Sequence, residues 1–454
     1  MFTTRRQFLQ TSSCGFGLLA LAGITAQASA EESPLAAKSP HFPAKAKRVI
    51  FMFMQGAPSH VDTFDYKPKL AQFNGKDDPI AKGKGRKLLQ SPFKFTPAGQ
   101  SGMPISEIFP NLAKQADHLC VVNSMATDIP NHPQAAVQLH TGNFQFVRPS
   151  MGAWALYGLG TTNQELPGFI TINPVANVGG AQNYGSAFLP ASFQGTKLGG
   201  DRERITSAKL ANINNPKMEA EAQRLQLDLL RSLNRERLAA DKVNNPLEGV
   251  IESYELAFRM QGAVPQVMDF SDESAATLAA YGVDEQPTDN FARQCLLARR
   301  FAEAGVRFME ISFPGWDQHN NLKEQITRNA NSIDKPIAAL LADLQQRGLL
   351  ADTLVVWGGE FGRTPGAQGE NGRDHNATGY SMWLAGGGIK GGMRYGATDD
   401  FGHNAVEQKM HVHDLHATML HLLGLDHTKL TYRYSGRDFR LTDVHGEVHK
   451  KIMA

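Results

Sequence analysis

The chain has 454 residues, 41% of them hydrophobic and 20% charged, with 46 Lys and Arg against 44 Asp and Glu for a formal net charge of +2. That length fits one large α/β domain with insertions or two ordinary domains, and the composition excludes a disordered chain and a membrane bundle. Basic residues are scattered, so no nucleic-acid footprint is present.

In chain order, Thr4-Arg5-Arg6-Gln7-Phe8-Leu9 precedes a short apolar stretch, Gly15 to Ala26, and then Ala28-Ser29-Ala30. A charged start, an apolar run too short to span a bilayer and a small-x-small cleavage site read as a signal peptide over residues 1–30. The twin arginines make it a Tat signal, so the protein is expected to be periplasmic or secreted, with no stable membrane insertion. Residues 31–46, rich in Ala, Pro, Ser and Lys, read as a flexible leader, and 47–454 as a single domain. Cys14 lies in the signal. Cys120 and Cys295 remain; in an oxidising compartment a disulfide between them is open, though they fall in unrelated contexts.

Six apolar residues after Arg48 fit a strand buried on both faces. Behind it Ser59, His60, Asp62 and Asp65 crowd a loop where a parallel sheet binds ligands, although each could instead serve as turn or cap chemistry. Residues 66–104 are basic and punctuated by Gly and Pro, and read as surface loop. A helix is expected over 105–116 and a second buried strand from 118 to 124. Asn131-His132-Pro133 then opens a helical pattern that runs to Gly142. Its first turn points N–H groups at an anion with His132 beside them, or His132 is incidental there. A helix and a third strand follow by Gly180, and 181–214 reads as irregular. Amphipathic helices over 217–242 and 246–258 belong to a helical insertion at about 200–285.

A helix over 290–304 leads into a strand over 306–312, with Asp317 and His319 in the loop beyond. Two residues apart at a strand end, they can chelate one cation. After a helix over 326–347, the strand from Thr353 delivers Glu360, then Arg363, Asp374 and His375. Tyr380 starts another strand, and His413 and His416 mark a packing face on a helix that closes at Gly424. Strand and helix alternate throughout, which predicts an α/β sandwich with a mostly parallel central sheet. Several strands thus end in loops bearing acids and histidines. Oxygen and imidazole donors suit one or two divalent ions such as zinc, calcium, magnesium or manganese.

Phe51 to Asp65, Asn131 to Gly142, Trp316 to His319, Gly359 to Pro365, Gly372 to His375 and Asp414 to Gly424 together resemble the DUF1501 family. These are exported bacterial proteins often labelled sulfatase-like, and the resemblance spans nearly the whole mature chain. It implies the three-layer sandwich of the alkaline phosphatase and sulfatase superfamily. Sulfatases carry their modified Cys nine residues before a Thr-Gly pair; nine before Thr141 stands His132, so an imidazole takes the nucleophile position. Gln55 replaces the first-strand aspartate. The resemblance implies metal ligands among Asp62, Asp317, His319, Glu360, Asp374 and His375. It gives His132 as general base or phosphorylatable nucleophile, and Arg363, or a helix start after it, as holder of the leaving oxyanion. The implied function is an exported metal-dependent hydrolase of sulfate or phosphate esters, on a small-molecule or glycan substrate. The other reading is a catalytically degenerate scaffold that binds an anionic glycan or a partner protein.

Overall fold

The computed structural model describes residues 33–80, 86–201, 203–208, 219–241 and 245–454, so the signal peptide read over 1–30 lies outside the described residues. The strands that build the central sheet and the site, in chain order, are β1 Arg48–Met54, β2 Leu119–Ala126, β3 Phe169–Ile172, β4 Thr196–Leu198, β5 Phe308–Phe313 and β6 Thr353–Gly358. A hairpin of β7 Gly362–Gln368 and β8 Gly372–Asn376 comes next, and then β9 Tyr380–Ala385, β10 Met393–Tyr395 and β11 Met410–His411. Nine of them build the central sheet in the order β10-β2-β9-β6-β1-β5-β3-β4, with β11 also on β2. Antiparallel β9 separates β2 from β6; the other pairings are parallel.

The sheet is covered on both faces, which is why β1 and β6 are apolar without alternation. Register assigns each residue its side. Phe51 and Phe53 lie level with Glu310 and Ser312. Against them packs helix His132–Thr141, whose His140 ring meets Phe53 edge-on at 4.7 Å. The opposite face carries Met52, Trp357 and Phe313. There Trp357 stacks on Trp383 and meets Phe64, Phe109 and Trp316, while Phe291 of helix Asp289–Glu303 packs on Phe313. The result is a three-layer α/β sandwich with a mostly parallel sheet.

Several sequence expectations shift. The stretch read as irregular, 181–214, includes β4, a three-residue edge strand too short to show a pattern. The expected helix at 105–116 is instead a 3-10 helix over Leu112–His118. Helices Ala220–Asp241 and Asn245–Met268 occupy the region read as a helical insertion, joined by Arg224 to Glu255 at 2.7 Å. Residues 33–46, the described part of the segment read as a leader, are tied to the domain: Lys38, His41 and Lys45 donate backbone bonds to Leu159, Gly424 and Leu422, and Leu35 is buried. Satisfied backbone and a buried anchor fix what composition alone reads as loose. Cys120 and Cys295 are free, buried thiols. Among the described residues no helix is long and apolar enough to cross a membrane.

His416 on helix Val412–Leu422 is buried; its Nε2–H donates to Leu139 O at 2.7 Å and its Nδ1 has no partner. Burial, aided by neighbouring histidines, lowers its pKa from 6.5 to about 3. The unfolded chain therefore binds this proton first. The contribution is fully present above pH 6.5 and is lost as pH falls towards 3, by up to about 1.4 kcal/mol per pH unit. His416→Gln is expected to flatten the acid limb of stability. Urea midpoints for both proteins across that window check it, and parallel slopes would remove His416 as the cause.

Candidate metal centre

The carboxyl ends of β1, β2, β5 and β6 meet at one edge of the sheet. Each sends a short segment over that edge, and the β7–β8 hairpin closes one side. Two glycines permit the approach. Gly56, at φ +107°, lies where a Cβ would stand 2.6 Å from Asp317 N, and a Cβ on Gly372 would stand 1.9 Å from His319 O. Any larger residue at either position would push the loop after β5 off the edge.

Four side chains converge there. Nε2 of His132, His319 and His375 lie 3.1, 2.8 and 3.5 Å from Asp317 Oδ1, and the last two Nε2 atoms are 3.0 Å apart. These donors all fall within 4.8 Å of one another, close enough to share one cation.

The opposite ring nitrogens are each held by an oxygen. His132 Nδ1 meets Glu360 Oε1 at 2.5 Å, His375 Nδ1 meets Pro130 O at 2.8 Å, and His319 Nδ1 meets Gln368 Oε1. A carbonyl or carboxylate oxygen only accepts, so each Nδ1 carries the proton and a neutral ring is left with a lone pair at Nε2. Three lone pairs and a carboxylate oxygen turned on one point repel unless a cation lies between them. His132 Nε2 is buried and makes no hydrogen bond. The residues present therefore fit a divalent ion. Burial works to lower the His132 pKa, but the Asp317 and Glu360 carboxylates outweigh it and raise it to about 9, so without a metal a proton on Nε2 takes the cation's place and a divalent ion binds by displacing it. Asp317 is held far below the usual carboxylate range: burial opposes this, and His132, His375 and Arg363 prevail. Asp317 is 43% exposed, so the cluster opens to solvent on its side.

The remaining sequence candidates fall around this cluster. Glu360 is buried and accepts from Gly56 N at 3.0 Å as well as holding His132, so it reaches the cluster only through an imidazole. Arg363 is wholly buried. It binds Asp317 Oδ1 at 2.5 Å and donates to the carbonyls of Gly56, Ala57, Trp316 and Arg373. With those bonds made it positions Asp317 and turns no edge outward, and a strand rather than a helix follows it. Asp62 lies apart, paired with Arg373 at 2.6 Å and with Ser59 Oγ at 2.5 Å. Asp374 pairs with Arg86 and accepts from His375 N at 2.8 Å. His60 reaches Gly402 O, and Asp65 is met by Lys67, Arg394 and Thr398. The loop after β1 is thus held by internal pairs. Phe361 packs on His132 and His375 with ring centroids 4.7 and 4.8 Å away.

Gln368 and the carbonyl of Pro130 were not singled out from sequence. A glutamine on a hairpin and a main-chain oxygen carry no spacing signal. Among the described residues no hydroxyl or thiol hydrogen-bonds to the four converging side chains.

The family profile described as "Protein of unknown function (DUF1501)" matches residues 46–453. No curated protein matches the chain. Similar solved structures include Ps i-CgsB, 10% identical with a TM-score of 0.39 over 84% of this chain and 72% of that one. The PsFucS1 sulfatase from Pseudoalteromonas sp. is 13% identical, TM-score 0.35, over 84% and 68%. The alkaline phosphatase from the Antarctic bacterium TAB5 is 11% identical, TM-score 0.35, over 84% and 99%. Likenesses this distant assign neither substrate nor chemistry.

Proposed function

The chain belongs to the DUF1501 family, and on that footing we propose that it is an exported, divalent-cation-dependent hydrolase of sulfate or phosphate esters. Its ion would be held by His132, Asp317, His319 and His375. The observation that carries this reading is the convergence of three imidazole Nε2 atoms and one carboxylate oxygen, each Nδ1 being fixed by an acceptor. Three nitrogens and one oxygen suit zinc or manganese better than calcium or magnesium, which take oxygen. The ester class follows from the motif resemblance, and export from the signal over residues 1–30.

When bound, a divalent cation supplies Lewis acidity to an ester oxygen. The chain's own residues set the frame. Glu360, Pro130 and Gln368 keep the ring protons on Nδ1, Arg363 fixes Asp317, and Phe361 shields the imidazoles from water on one side. With no hydroxyl or thiol among the described residues bonded to the cluster, attack falls to water. Its oxygen bonds to sulfur or phosphorus, the ester oxygen leaves with the bonding pair, one water proton ends on the alcohol formed, and the other leaves with the inorganic sulfate or phosphate or passes to solvent. His132 thereby changes role from nucleophile or base to ligand.

A second reading has an observation of its own. Four protein donors complete a tetrahedron, as structural ions prefer, whereas catalytic ions keep a position open. That favours a non-catalytic scaffold for an anionic glycan or a partner protein. Turnover separates the two. The mature protein, assayed on aryl and sugar sulfates and phosphates, is expected to hydrolyse at least one ester, to lose that activity on chelation and to regain it with zinc or manganese. An ion-loaded protein that binds an anionic glycan yet is inert across the panel favours the scaffold.

A further inference from the structure

Away from the cation cluster, the loop after helix His132–Thr141 meets the segment around Phe188 and the hairpin of Tyr432–Tyr434 and Arg437–Phe439. Phe188 stacks on Tyr434 at 5.1 Å and on Tyr432 at 6.0 Å, and lies 5.0 Å from Phe439. The Arg148 guanidinium lies 4.5 Å over Phe439, 5.2 Å over Phe146 and 6.0 Å over Phe188. Arg437 lies over the same Phe439 ring at 4.8 Å.

The two arginines differ in what balances them. Arg437 is paired with Asp443. Arg148 has no ion pair among the described residues, and its side chain donates there only to the carbonyl of its neighbour Val147, at 3.4 Å. A guanidinium stacked on rings keeps its N–H edge free for an oxyanion. Phe188, Tyr432 and Phe439 are accounted for by hairpin packing. Phe146 and Val147 are not, and Tyr434 presents to solvent the side turned away from Phe188: the three stand 59%, 61% and 48% exposed.

Three exposed apolar side chains fall well short of the roughly 1,000 Å² that a stable protein interface buries. An anionic membrane calls for a cluster of about four or more basic residues, but Arg433 and Arg437 are each already paired with a carboxylate. What fits is a small rigid ligand with an apolar face and one anionic group. We propose that Arg148, with Phe146 and Tyr434, forms a surface subsite for an acidic sugar, one ring face lying on the two exposed aromatics and a sulfate, phosphate or carboxylate on the guanidinium. Helix His132–Thr141, about 15 Å long, begins at the cluster residue His132 and ends before Arg148 in the chain, and the inference does not depend on that cluster.

Calorimetric titration of the full mature protein tests it, with a heparin tetrasaccharide, tetragalacturonate and neutral maltotetraose as probes. At least one charged probe is expected to bind and maltotetraose not. Arg148→Ala is expected to weaken binding about tenfold or more, Arg148→Lys less, and Tyr434→Ala to weaken it as well, each with an unchanged melting curve. Asp317→Ala is expected to bind as the parent does. Failure of both charged probes, or equal binding by Arg148→Ala and the parent, overturns the proposal. So does a preference for phosphatidylglycerol vesicles or polyglutamate over both sugars.

Discussion

Replacing Asp317 and His375 together by alanine is expected to strip the purified protein of its divalent ion without unfolding it. Both residues are partly exposed. Although Arg363 loses the carboxylate it contacts and the protein some stability with it, the guanidinium keeps its carbonyl partners at Gly56, Ala57, Trp316 and Arg373 and the nearby charges of Glu360 and Asp374. Only His132 and His319 then remain as donors, too few to close a tetrahedral site. A graded variant identifies the third histidine. Glu360 touches the cluster only through His132 Nδ1, so Glu360→Gln is expected to weaken zinc affinity about 10- to 100-fold if His132 is a ligand, and hardly at all if it is not. Elemental analysis of parent and double variant, with zinc competition titrations for Glu360→Gln, checks this. A parent that takes up no ion in folded form, or a double variant that keeps one, removes the centre.

How much of this could be read from the chain depends on which kind of signal each feature leaves. Runs such as Val49 to Met54 and Thr353 to Gly358 announce buried parallel strands because both faces must be apolar, and the sandwich follows from their alternation with helices. Asp317, His319 and His375 could be singled out because donor side chains gather just after strands. Pairing partners could not. Asp62, Asp374 and Arg363 have the residue types of a polar site, yet each is satisfied by a residue far away in sequence: Arg373, Arg86 and Asp317. Sequence distance hides such pairs, so a carboxylate cancelled by a buried arginine reads like one awaiting a metal. His132 shows the converse. Comparison with the sulfatase motif gave it a nucleophile's place, but only the fold shows that its Nδ1 is held and its Nε2 is turned to the other imidazoles.

The pair beneath the site should dominate stability. Asp62 and Arg373 are both fully buried, bonded by two contacts of 2.6 and 3.1 Å. Arg373 also donates to the carbonyls of Thr364, Pro365 and Leu89, so it fastens the β7–β8 hairpin to the loops after β1 and before β2. Asp62→Ala leaves that guanidinium charged and uncompensated in the interior and is expected to cost about 3–5 kcal/mol. The double change Asp62→Leu with Arg373→Met is expected to cost less than the two single changes added, since neither charge is then stranded. Urea midpoints at unchanged slope measure both. Ion content is the discriminating readout. A structural Asp62 predicts destabilised protein that, while folded, keeps its ion, whereas folded Asp62→Ala without the ion would return Asp62 to the ligand set and move the centre towards β1.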